Sequence, residues 1–100
     1  MAKRIVWSKN ATIDRLQILD YWHKRIGTKT YSKKLDLEIR KLIHNLRVLP
    51  EMGRKLNNTH IRYLVKDHYL IFYSIHDAEI RILHLWDSRR NPNELIIETD

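Results

Sequence analysis

The clearest pattern along the chain is a run in its first half where apolar residues return every three or four positions. Tyr31, Leu35, Ile39, Leu42, Leu46 and Leu49 step by four, four, three, four and three, the spacing of one helix face. This predicts a helix from Thr28, a good cap residue, to about Val48, with Pro50 as its stop. A broader apolar face made by Ala11, Ile18, Leu19, Trp22 and Ile26 predicts an earlier helix over Ala11 to Ile26. Ser8, Asn10 and Thr12 offer N-caps for it, and Gly27 ends it as a C-terminal cap. A break this short between two helices implies an antiparallel helical hairpin.

Outside the hairpin the period drops to two. Lys3 to Trp7 predicts a short first strand with Ile5 and Trp7 on one face. After a loop from Glu51 to Thr59, His60 to Lys66 alternates Ile61, Tyr63 and Val65 with Arg62, Leu64 and Lys66. The first set is expected to face the core. Asp67-His68 makes a tight turn into a strand over Tyr69 to Ile75, with Tyr69, Ile71, Tyr73 and Ile75 sharing a face. His76-Asp77-Ala78 turns again into a last strand over Glu79 to Trp86, where Ile80 and Ile82 share one parity and Leu83 and Leu85 make the other apolar too. Apolar residues on both faces mark an inner strand.

The expected fold is α+β: one two-layer domain over residues 1–100, ending in a tail from about residue 93. Its order is strand, helix, helix, strand, strand, strand (βααβββ). The N-terminal strand joins, and the hairpin covers, a mainly antiparallel sheet. The other sheet face, expected to carry Arg62, Lys66, Leu70 and Phe72, stays partly open.

Composition narrows the function classes. The absence of cysteine excludes disulfides, thiol chemistry and Cys-based zinc sites. The six histidines fall at no metal-ligand spacing, and the two glycines are isolated, so neither a metal nor a nucleotide cofactor is expected. No apolar run is long enough for a membrane span. Met1-Ala2-Lys3-Arg4 leads into only three apolar residues, too few for a signal-peptide core, so a cytoplasmic location is expected. The net charge of +7 is uneven: residues 1–58 hold 14 basic and 5 acidic side chains, residues 59–100 hold 5 and 7. A basic half on a compact domain suits a polyanionic or acidic partner.

Candidate chemistry therefore rests on basic side chains. Arg54 and Lys55 follow the turn Pro50-Glu51-Met52-Gly53, Arg62 projects from the next strand, and Arg89 and Arg90 leave the last one. Pro92, with the turn formers Ser88, Asn91 and Asn93, keeps that strand from continuing, and Asp87 is placed to orient one of the two arginines. A meander is expected to gather these groups on the open side of the sheet, where forked cations suit phosphate.

The stretches "PEMGRKL", "IRYLV", "HYLIFYSI" and "IRILHLWDSRRNP", in this order after two basic helices, resemble the RelE/ParE family of bacterial toxin–antitoxin toxins. The resemblance covers nearly the whole chain and implies the same fold. It implies one of two activities: metal-free cleavage of mRNA on the ribosome, as in RelE-like members, or inhibition of DNA gyrase without nuclease activity, as in ParE-like members. It also implies a cognate antitoxin with an acidic or amphipathic segment. On the ribonuclease reading, which the retention of Arg54, Arg62 and Arg89 favours, these three would hold the scissile phosphate. His84 would serve in proton transfer, for which His60 and Lys55 are also available. Lys55, Lys66 and Arg90 would bind RNA. Leu64 and Leu70 stand where RelE-like chains carry basic residues, and no tyrosine follows Pro92. A basic nucleic-acid-binding module without toxicity is the third reading.

Overall fold

The computed structural model describes residues 2–90. The expectations for Asn91, Pro92, Asn93 and the tail fall outside the described residues. Within them the chain forms β1 (Arg4–Trp7), α1 (Lys9–Ile26), α2 (Thr30–His44), β2 (Arg54–Lys55), β3 (Ile61–Lys66), β4 (Tyr69–Ile75) and β5 (Glu79–Asp87). The sheet order is β1-β5-β4-β3-β2. β1 pairs with β5 in parallel, and the other three pairings are antiparallel. The α+β class, the helical hairpin and the inner position of the last strand are as the sequence implies.

Capping fixes both ends of α1. The Ser8 hydroxyl accepts a hydrogen bond from the Ala11 amide at 3.0 Å and donates to the Leu83 carbonyl at 2.9 Å. The cap thus starts the helix at Lys9, two residues earlier than its apolar face suggests, and ties it to β5. Gly27 closes the helix in the left-handed region, at φ 87°, without the Cβ that disfavours this conformation. The chain of α2 tightens after His44 into a 3₁₀ turn, Asn45–Arg47, which keeps Leu46 fully buried on the same apolar face. A second 3₁₀ turn, Pro50–Met52, leads into β2, a strand of two residues inside the expected loop.

The main core lies between the hairpin and the sheet. Leu35, Ile39, Ile43 and Leu46 meet Leu64, Tyr69, Ile71, Tyr73, Ile80, Ile82 and Leu85, while Trp7, Trp22 and Leu42 close the margins. A smaller cluster of Ile61, Phe72, Leu83 and Trp86, joined by Leu56, Tyr63 and Leu70, occupies the opposite face.

Two face assignments differ from the sequence reading. On β3 it is Arg62, Leu64 and Lys66 that share the helix-covered side. Leu64 enters the main core, Lys66 reaches Glu38 of α2 at 2.6 Å, and Ile61 and Tyr63 belong to the opposite cluster. Arg62 and Lys66 therefore do not lie on the open face; only Leu70 and Phe72 of the expected set do. On β5 a bulge interrupts the pairing: Tyr73 faces Ile82 and Phe72 faces His84, so Leu83 is the extra residue. Past the bulge the alternation flips, which returns Leu85 to the main core and sends Trp86 to the opposite face. Leu83 and Leu85, of one parity in the sequence, thus lie on opposite faces.

Candidate functional site

Arg54, Lys55 and Arg62 come together at one edge of the sheet. Lys55 lies opposite Arg62 in the β2–β3 register, and Arg54 opposite Tyr63. Arg62 is occupied there. Its Nη1 donates to the Gly53 carbonyl at 2.8 Å and to the Glu51 carbonyl at 3.3 Å. Tyr73 holds the same turn from below: its hydroxyl donates to the Pro50 carbonyl at 2.7 Å and accepts from the Gly53 amide at 2.9 Å. Burial pushes the Tyr73 phenol up from its ordinary pKa, partly offset by the Gly53 hydrogen bond. The Pro-x-x-Gly turn is thus a knot of four hydrogen bonds that positions β2, and Arg62 is one of its ties.

Arg89 and Arg90 stand at the far end of β5. Asp87 holds Arg89 in a fork, with Nε–Oδ1 3.0 Å and Nη2–Oδ2 2.8 Å, and also accepts the Arg89 amide at 2.9 Å. The expectation that Asp87 orients one of the arginines is met at Arg89. This hydrogen bonding, Arg89's above all, draws the Asp87 carboxyl below the ordinary carboxylate range. The Arg90 guanidinium lies over the Trp86 ring, 4.2 Å from its centroid. Beside them a cavity of about 410 Å³ opens between α1 and the strand ends, lined by Asp14, Ile18, Tyr21, Tyr69, Asp87 and Arg89 among others. Tyr69 is fixed in its wall by Trp22, whose Nε1–H donates to the hydroxyl at 2.7 Å. Burial raises the Tyr69 pKa.

His84 belongs to neither group. Its Nδ1 meets Asp14 Oδ2 at 2.7 Å, and the same oxygen accepts the Leu85 amide at 3.0 Å. Asp14 of α1 thereby occupies the edge of β5 beyond the end of β1. The His84 Nε2 atom is buried and has no hydrogen-bond partner among the described residues. Lys66 is held by Glu38.

The sheet register separates what the sequence was expected to gather. Arg62, Tyr73 and Ile82 form one row across β3, β4 and β5; Lys66, Tyr69 and Asp87 form another. The rows are four residues apart along β4, about 13 Å. Arg89 lies two residues beyond the second row, in the turn after β5. The two arginines therefore start from different ends of the sheet, because the turn following β5 emerges at the opposite end from β2. Sequence reasoning missed Asp14, Trp22 and Tyr69 as site-building residues. Their partners are 70 and 47 positions away, and no local pattern links them.

Among the described residues no group of three or more His, Asp or Glu side chains is disposed to hold a metal ion, and no helix is long and apolar enough to cross a membrane.

The comparisons agree with this architecture. The family model for the ParE toxin of the type II toxin–antitoxin system parDE matches residues 5–92. The chain belongs to this family. A chain of a solved structure described as the chromosomal ParDE TA system from P. aeruginosa has a similar fold, at a TM-score of 0.75 and 20% identity, covering 84% of this chain and 94% of that one. No curated protein matches the chain. The RelE/ParE resemblance seen in the sequence is thereby established, and the chain is the toxin component of a type II module.

Proposed function

We propose that this ParE toxin acts by binding DNA gyrase and does not cut RNA. The observation that carries this reading is the separation of Arg62 from Arg89. Metal-free RNA cleavage needs several donors aimed at one phosphate, with an acid and a base within hydrogen-bond reach. Here Arg62 is committed to backbone carbonyls, Lys66 to Glu38 and the His84 Nδ1 to Asp14. The ParE family match supports the same side of the choice. A cognate antitoxin with an acidic or amphipathic segment is part of the proposal, supported by the family and by the basic first half of the chain.

The RelE-like reading draws on one feature: Arg89, Tyr69 and Tyr21 share the wall of a single cavity. A supercoiling assay run beside a translation-dependent mRNA cleavage assay tests the choice. Loss of supercoiling with intact ribosome-bound mRNA is the expected result. Cleaved mRNA with unaffected gyrase would overturn it.

A further inference from the structure

The outer face of α2 carries a charge pattern that the fold does not need. At 100° per residue, Lys33, Lys34, Leu37, Arg40, Lys41 and His44 fall within one arc of about 120°. All six are exposed. The solvent face of an ordinary helix mixes signs, because like charges three or four positions apart destabilise it. This arc has no carboxylate. The two acids of α2 sit on its flanks, and both are already engaged. Asp36 is forked by Arg15, at 2.6 and 2.8 Å, and touched by Arg40 at 3.2 Å; Glu38 is held by Lys66. Lys33, Lys34 and Lys41 form no ion pair among the described residues. The row from Lys33 to His44 is about 16 Å long, near the rise of five base pairs.

We propose that the outer face of α2 is a docking surface for the phosphate backbone of duplex DNA. The inference rests on the gyrase reading, since the substrate of gyrase is duplex DNA. An acidic peptide segment would also be attracted, but such a segment settles on a helix through apolar anchors, and Leu37 is the one large apolar side chain in this arc. Phosphates need only cations at intervals, which the arc supplies. Contacts of this kind position a protein on the duplex without reading its sequence.

The test is fluorescence anisotropy of a labelled mixed-sequence DNA duplex, titrated with the full chain at several salt concentrations. The variants are K33Q/K34Q/K41Q and, as a control on α1, K9Q. Glutamine keeps helix propensity near that of lysine, and circular dichroism checks the fold. Three lysine–phosphate contacts contribute about 2.7 to the slope of log K against log salt. The triple variant is therefore expected to lose about that much slope, whatever duplex sequence is used, while K9Q stays close to the wild type. A wild type that fails to bind at low salt, or a triple variant that binds like the wild type, overturns the proposal. So does equal competition by polyglutamate at matched charge, which would assign the face to an acidic protein instead. No gyrase is present in this titration, so its failure is distinct from failure of the supercoiling assay.

Discussion

Arg62 and Arg89 look alike in the sequence, each a basic residue in or just beyond an apolar strand, yet the structure sets them to opposite uses. The Arg62 guanidinium donates to two backbone carbonyls of a turn that a buried tyrosine also holds. Its charge meets neutral acceptors, and its contribution is to the scaffold. The Arg89 guanidinium is forked by a carboxylate on the rim of a cavity, with about half of the side chain still open to solvent. Such a fork fixes direction while leaving donor edges exposed. The partner, carbonyl or carboxylate, distinguishes a structural arginine from one available for recognition.

The scaffold half of this contrast breaks most completely at Gly53. A Cβ there would stand 2.5 Å from the Tyr73 hydroxyl and 2.9 Å from the Tyr63 carbonyl oxygen. Tyr73 is fully buried and cannot retreat. Overpacking and a displaced buried hydrogen bond together set the expected cost of Gly53→Ala at about 3 kcal/mol or more. The thermal midpoint should then fall by roughly 10 °C or more, which circular dichroism reads directly. A midpoint within two or three degrees (roughly) of the wild type would mean the turn is not the knot described. Tyr73→Phe isolates the hydroxyl. It leaves the Gly53 amide and Pro50 carbonyl without their partner, for an expected loss of about 1–3 kcal/mol in urea unfolding.

The two arginines then separate by stability. Arg62→Ala removes two side-chain hydrogen bonds and should cost about 1 kcal/mol, with toxicity retained where the protein stays folded. Arg89→Ala, at an exposed rim, should lie within about 0.5 kcal/mol of the wild type. Equal losses in both variants would dissolve the distinction.

How much of this was legible can be judged residue by residue. The three/four spacing of Leu35, Ile39 and Leu46 and the two-sided apolar character of β5 depend on local period, so the helix and the inner strand could be read. The faces of β3 could not. Both parities carry apolar residues, and Arg62 and Lys66 satisfy their charge by reaching a carbonyl and Glu38, which alternation cannot foresee. The bulge at Leu83 separated Leu85 from it for a similar reason: one extra residue reverses parity without changing composition. β2, at two residues, is too short to show a period. The placement of the basic groups could not be read either, because strand direction, invisible in the pattern, puts the turn after β5 at the other end of the sheet from Gly53.

The smallest effect sharpens the contrast through pH. The Asp87 carboxyl is lowered chiefly by the Arg89 hydrogen bond, with the Arg89 amide and nearby His68 adding to it and burial opposing. A carboxyl whose folded pKa lies below its unfolded value, about 3.9, contributes stability that is fully present above that value. The contribution is lost as pH falls through the folded value. Arg89→Ala keeps the backbone amide but removes the fork, so the Asp87 midpoint should rise towards the ordinary range in an NMR titration of its carboxyl carbon. Any stability gap between this variant and the wild type should be present at neutral pH and close on the acid side. Arg62→Ala, whose lost partners are carbonyls that do not titrate, should show a gap that persists through the same window. An Asp87 midpoint unmoved by the loss of Arg89 would mean that the fork does not set its charge, and the rim arginine would then differ from Arg62 in position alone.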